Sequence, residues 1–298
     1  MTNQVDRPPP VTADSPGRLD ALVRPLFVVL WSSAFIAAVF GTAAVPPLLL
    51  TFSRFAVAGV LLTAIALVSR SRWPRGRLLA HVVVTGLLMQ AVQFGAFYLA
   101  IARGLPGGVV ALVQGLNPVV IALLAGPVLG ERITRAQWLG FGVGGAGVAL
   151  AVIDQIHVSA SGIVLCFVGL LGLGLGTVYQ KRFAMGADLR SSTAVHFLAA
   201  APVVGVASLL LETPRVGDWG AFGASLAWIV LVNSVGTFLL LNMMLRRQSA
   251  AGVGALFFLT PSVTALLAWL INGQTLDPVT ILGLLLGGVG VLLAGRKA

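Results

Sequence analysis

The stretch PVVIALLAGPVLGERITRAQWLGFGVGGAGVALA (118–151) returns 143 residues later as PSVTALLAWLINGQTLDPVTILGLLLGGVGVLLA (261–294). Fifteen of the 34 aligned positions are identical. Matches such as Ala122-Leu123-Leu124-Ala125 with Ala265-Leu266-Leu267-Ala268 carry little weight in so apolar a chain. The coincident Pro118/Pro261, Gly130/Gly273, Gly140/Gly283, Gly144/Gly287, Gly145/Gly288 and Gly147/Gly290 carry more. A shift of 142 also aligns Thr51, Arg54 and Phe55 with Thr193, His196 and Phe197. Self-similarity at a fixed offset marks a duplicated architecture, so the chain reads as two copies of one unit.

Both copies are too apolar for water. Of 298 residues 58% are hydrophobic and 9% charged, whereas a soluble domain carries about 25% charged residues. A soluble domain and a disordered chain are excluded, and the single Cys166 excludes a disulfide scaffold. Ten apolar segments stand out, at 25–44, 47–69, 78–102, 106–129, 136–153, 161–180, 192–211, 220–245, 250–271 and 278–295. Most suit a helix crossing a ~30 Å hydrocarbon core, which takes about 20 residues. They are too long and continuous for the alternating strands of an outer-membrane barrel. Residues 1–24, with Pro8, Pro9, Pro10 and Pro16, are expected to form a disordered cytoplasmic tail. No cleavage site of a secretory signal follows the first apolar run.

The formal charge of +10 forms no stripe suited to nucleic acid. Its basic residues cluster between the apolar segments. With the N-terminus in the cytoplasm, sixteen Lys and Arg fall on the cytoplasmic side and two, Arg103 and Arg215, on the other. This is the positive-inside signal, and it predicts cytoplasmic termini and an even number of spans. Ten helices divide into units at 25–153 and 161–296. Five is odd, so the second unit must enter the bilayer inverted. The expected fold is all-α and integral to the membrane: ten transmembrane helices in two inverted five-helix repeats. Such repeats characterise secondary transporters, whose substrate site lies near the midplane between the halves.

Several short elements resemble a known family when taken in order. They are Trp31-Ser32-Ser33-Ala34-Phe35, then Pro47 followed by Arg54-Phe55, then Tyr98-Leu99-Ala100 and Gly108. Pro118, Gly130-Glu131-Arg132-Ile133-Thr134, Gln137, Gly140 and Gly147 follow. Together they resemble the EamA-like ten-helix permeases of the drug/metabolite transporter superfamily, over about residues 25–296. The resemblance implies transport of a metabolite or drug, usually export, through the bacterial inner membrane. One departure is visible: many relatives carry a Lys near the end of the first helix, where this chain has Val39. A role attached to that Lys has no counterpart here.

Arg54 is the only basic residue deep in a span, seven residues past Pro47 and so about 10 Å inward. A charge at that depth normally faces a cavity or a partner. Arg54 is therefore expected to bind an anion or act as a gate, the alternative being a guanidinium that snorkels outward. His196, its repeat counterpart, is a candidate for substrate or proton binding, because imidazole titrates near pH 6.5 when unperturbed. The alternative is a neutral ring bonded to a carbonyl. Gln90 and Gln93 share one helix face, as do Gln114 and Asn117, and Asn233-Ser234 lies in the eighth segment. Amides in lipid turn inward, either to bind substrate or to join helices. Asn117 precedes Pro118 and is read as structural.

Trp31, Tyr179 and Trp269 are candidate aromatic walls, with Tyr179 alternatively an interfacial anchor like Trp73, Trp138 and Trp219. Pro118 and Pro261 interrupt the helix ladder, as paired hinges for alternating access or as fixed kinks. Gly140-xxx-Gly144 and Gly283-xxx-Gly287 suit close helix packing, within a monomer or across a weak homodimer. No G-x-S-x-G serine and no H-E-x-x-H is present, nor a pair of intramembrane Asp. An enzyme acting on lipid or peptide in the membrane is therefore the lesser reading, and no cofactor or metal is expected. An ion channel fits an inverted repeat poorly.

The expectation is a secondary transporter of the inner membrane, exporting a small metabolite or drug-like compound by alternating access. One positive charge in an apolar cavity favours an amino acid or other carboxylate as substrate. With no carboxylate deep in a span, proton coupling would fall to His196 or to a proton carried by the substrate, unless transport is passive.

Overall fold

The computed structural model describes residues 18–130, 134–153, 159–247, 253–254 and 256–272, with 278, 281–282, 285–286 and 289 beyond them. The described residues contain helices and no strand. In chain order they are α1 (Arg18–Ala44), α2 (Pro47–Val68), α3 (Gly76–Ala102) and α4 (Gly107–Leu129). Next come α5 (Arg135–Ile153), α6 (Ala160–Ala184), α7 (Leu189–Leu211), α8 (Trp219–Arg247) and α9 (Thr260–Asn272). Seven of them, α1 to α4 and α6 to α8, are long and apolar enough to cross a membrane. Most of the expected tenth segment, Glu131 and most of the N-terminal tail lie outside the described residues.

The tail needs one correction. Helix α1 begins at Arg18, so 18–24 are helical and Pro25 sits inside the helix. Leu19, Ala21 and Leu22 are good helix formers, and a proline near a helix start removes few ladder bonds.

The other helix ends follow from side chains near them. Ser159, Asp188 and Asp218 cap α6, α7 and α8 by accepting backbone N–H bonds of 2.8–3.3 Å. Gly130 ends α4 in the left-handed conformation, φ +70°. Helix α2 starts at Pro46-Pro47 and has no cap of its own. Its free donors are met from a distance: Glu212, just past α7, accepts from Leu48 N at 2.8 Å and Leu49 N at 3.1 Å.

Apolar burial does little to join helices in lipid, so close packing must do it. Helix α2 packs along α7, α3 against α6, and α1 against α8 and α9. Gly59 lets α2 approach α7: a Cβ there would lie 2.8 Å from Leu198 Cδ2. Gly169 and Gly172 bring α6 onto the α3 backbone, where added Cβ atoms would lie 2.9 Å from the Gln93 and Leu88 carbonyls. Hydroxyl and amide groups fasten α1 to α8. Ser225 Oγ donates to the Ala37 carbonyl at 2.6 Å, and Trp228 Nε1 to Ser33 Oγ at 3.0 Å.

Two irregularities recur. Helix α4 is interrupted at Gly115–Leu116 and resumes at Asn117, with Pro118 in the new first turn. Ahead of α9 runs a 3-10 turn, Leu256–Phe258, and Pro261 occupies α9's first turn. Helices α3 and α8 both widen into π-helical turns, at Leu87–Val92 and Ile229–Thr237. A further π turn, Gln180–Ala184, ends α6.

Candidate functional site

Arg54 faces inward on α2, and no part of it reaches solvent. Its Nε donates to Ser234 Oγ on α8 at 2.8 Å and its Nη1 to Tyr98 Oη on α3 at 3.0 Å. The guanidinium carbon lies 3.9 Å from the centre of the Phe94 ring, in cation–π geometry. Nη2 is buried and has no hydrogen-bond partner among the described residues. No carboxylate among the described residues balances the charge; the contacts are two hydroxyls and an aromatic face. Stranding a charged donor in an apolar interior costs several kcal/mol unless it is compensated. The free end of Arg54 is therefore suited to an anion.

A small cavity opens beside it, lined by Trp31, Ala34, Phe35, Arg54, Phe94, Phe97, Tyr98, Ile101, Asn233 and Phe238. Its free space is no more than about one water needs. The walls are interlocked rings: Trp31 meets Phe238 at 5.4 Å and Phe257 at 4.9 Å between centroids. Asn233 Nδ2 donates to the Leu30 carbonyl of α1, and its Oδ1 is buried without a partner among the described residues.

Of the residues singled out from sequence, Arg54, Trp31 and Asn233 meet here. Gln90, Gln93 and Gln114 do not line this cavity. Each is fully buried with its amide unpartnered among the described residues, as is Asn117. His196 lies on α7 where α3 comes closest: a Cβ at Gly86 would sit 2.5 Å from His196 Cα. Both ring nitrogens are buried and unpartnered among the described residues. Two aromatic expectations need correcting. Trp269 is 51% exposed on the outside of α9. Tyr179 pairs with His81, whose Nδ1 lies 2.8 Å from its Oη, and with Phe183. Neither lines the cavity: the Trp269 ring is half exposed and the Tyr179 ring is engaged by His81 and Phe183. Sequence reasoning misses Phe94, Phe97 and Phe238, and it gives Tyr98 and Ser234 no role of their own. A phenylalanine in an apolar span carries no mark. Phe94 and Tyr98 do lie four apart on the helix face one turn beyond Gln90, which is a usable signal.

The sequence profile of the EamA-like transporter family matches residues 23–153 and again 160–296. The chain belongs to the EamA-like transporter family, and is a membrane transporter built of two matching units. It is similar to a protein described as the uncharacterized inner membrane transporter YedA of Escherichia coli K12, 26% identical over 86% of this chain and 84% of that one. It is also similar to a probable terminal-alkyne amino-acid exporter of Streptantibioticus cattleyicolor, 29% identical over 91% and 92% of the two chains. A probable amino-acid metabolite efflux pump of Escherichia coli K12 is 26% identical over 93% and 94%. A crystal structure sharing 22% identity matches 92% of this chain and 95% of its own with a TM-score of 0.73, a likeness of fold.

Proposed function

We propose that the protein exports a small carboxylate-bearing metabolite, an amino acid or a close analogue, across the bacterial inner membrane by alternating access. Arg54 is the anion-binding residue. The observation that carries this is the buried guanidinium of a cavity-lining arginine, with no carboxylate beside it and with Nη2 unpartnered among the described residues. A substrate carboxylate supplies the missing counter-charge, and leaving it unpaired favours loading before the cavity changes face. The similarity to a probable terminal-alkyne amino-acid exporter and a probable amino-acid metabolite efflux pump supports the substrate class.

The transport cycle we assign needs two inverted five-helix units, ten helices in all, and the contacts fit a two-fold axis between them. Such an axis exchanges α1 with α6, α2 with α7, α3 with α8 and α4 with α9. It maps α2·α7 onto itself, α3·α6 onto α8·α1 and α4·α6 onto α9·α1, and all of these pairs are packed. The proline-marked breaks in α4 and α9, with Pro118 and Pro261 143 residues apart, are also exchanged, as are the π turns of α3 and α8, which begin 142 residues apart. Pro118 and Pro261 act as the paired hinges. Gln90, Gln93 and Gln114 line the path once the cavity opens. His196, a titratable group within α7, can couple a proton to export.

Counterflow in proteoliposomes tests the proposal. Vesicles loaded with mixed amino acids should accumulate labelled amino acid through the wild-type protein, and Arg54→Ala should abolish this at equal amounts of folded protein. Full exchange by Arg54→Ala contradicts it.

A further inference from the structure

We infer that the Arg54 cavity selects carboxylates bearing a hydrogen-bond donor on the adjacent carbon. Asn233 Oδ1 is the specificity-determining acceptor, and Tyr98 and Ser234 position the guanidinium. The inference rests on the proposed carboxylate site and extends it to a second group on the ligand.

The orientation of Asn233 is fixed by its neighbour. The Leu30 carbonyl can only accept, so the amide must present Nδ2 to it, as found. That leaves Oδ1 as the uncommitted atom of the amide. It is buried, unpartnered among the described residues, and borne by a residue that lines the cavity. The other polar side chains named at the site each have a proton to give. Arg54 Nη2 is free, while the Tyr98 and Ser234 oxygens already accept from Arg54. Neither of those hydroxyl protons has an acceptor among the described residues. The site thus offers donors suited to an anion and, in Asn233 Oδ1, an acceptor wholly unpartnered among the described residues and suited to N–H or O–H.

Tyr98 and Ser234 act through Arg54. One comes from α3 in the first unit and the other from α8 in the second. Together they hold Nε and Nη1 and leave Nη2 as the open end. Asn233 and Ser234 are adjacent on the π turn of α8, so the acceptor and one clamp of the guanidinium move as one piece. A carboxylate on Nη2 whose neighbouring carbon carries an amino or hydroxyl group satisfies both halves of the site. A carboxylate without that group leaves Oδ1 stranded, and a site built to bond a missing group discriminates strongly against its absence.

The test is calorimetric binding to the full-length protein in lipid nanodiscs. Probes are leucine, 2-hydroxyisocaproate, 4-methylvalerate and leucine methyl ester, with the alanine and phenylalanine counterparts of each. Wild type should bind the amino and hydroxy acids at least about tenfold more tightly than the unsubstituted acid of the same skeleton. Asn233→Leu should erase that difference. Tyr98→Phe and Ser234→Ala should each weaken all acids of a skeleton by one common factor, about tenfold, and keep the difference. Equal affinity of wild type for all acids of a skeleton overturns the inference, whether or not any variant folds. So does an Asn233→Leu protein that keeps the preference. If the ester binds as well as the acid, or no acid binds, the carboxylate reading of Arg54 fails as well, and the two failures are distinct.

Discussion

Arg54 is conspicuous in the sequence alone, because one guanidinium within an apolar span is too costly to be incidental. Its surroundings are far less legible. Tyr98, Phe94 and Ser234 come from two other helices, and their convergence on Arg54 depends on how those helices rotate and pack. Sequence spacing fixes which residues share a face, not which faces meet. The same limit explains why Gln90, Gln93 and Gln114, candidate companions of Arg54 by residue type, lie buried away from its cavity. Because charge and geometry both act at this residue, Arg54→Lys should keep only part of transport, about a tenth or less of wild type. Lysine cannot hold Tyr98 and Ser234 together and still present a free donor in the same plane. Vesicle transport assays at matched expression check this. Near-wild-type export by the lysine variant would reduce Arg54 to a point charge. His196→Gln should be milder at fixed pH, and its effect should show in the pH dependence of transport, since glutamine keeps polarity and loses titration.

At the scale of elements, proline and glycine are reliable signals. The break at Pro118 is legible in the sequence and takes the form of an interruption of α4 ahead of a new first turn. The π turns of α3 and α8 are not legible, since one extra residue per turn leaves no mark in an apolar sequence. π turns often accompany functional sites; here they carry Gln90 and Asn233. If the breaks are hinges, Pro118→Ala and Pro261→Ala should each slow transport several-fold, by similar factors, with little change in melting temperature. Unequal effects, or none, would leave the prolines as fixed kinks. The tie between Glu212 and the start of α2 makes a separate prediction. Losing a cap destabilises by about 1 kcal/mol, so Glu212→Ala should lower the thermal midpoint in detergent. Glu212→Gln, with one oxygen in place of two acceptors, should fall between. The contact is invisible in sequence because Glu212 and Leu48 are 164 residues apart.

For the molecule as a whole, the duplication is legible because glycine and proline positions survive where apolar residues interchange. The family profile, matching the chain twice, agrees with that reading. Orientation is legible only as a count of Lys and Arg, and reporter fusions decide it. Fusions after Ala44, Gly104, Ile156, Thr213 and Gly273 should all report the non-cytoplasmic side. A cytoplasmic signal at Ile156, with the earlier fusions as expected, would remove the inversion. The proposed cycle requires the small cavity beside Arg54 to open to each face of the membrane in turn. Ala34 lines that cavity and is buried, and the native Cys166 is buried elsewhere. An Ala34→Cys protein lacking Cys166, treated with a membrane-impermeant thiol reagent, should be labelled from the cytoplasmic face and, separately, from the opposite face. Substrate should slow both reactions. Labelling from one face only, or from neither during active transport, would contradict alternating access through this site.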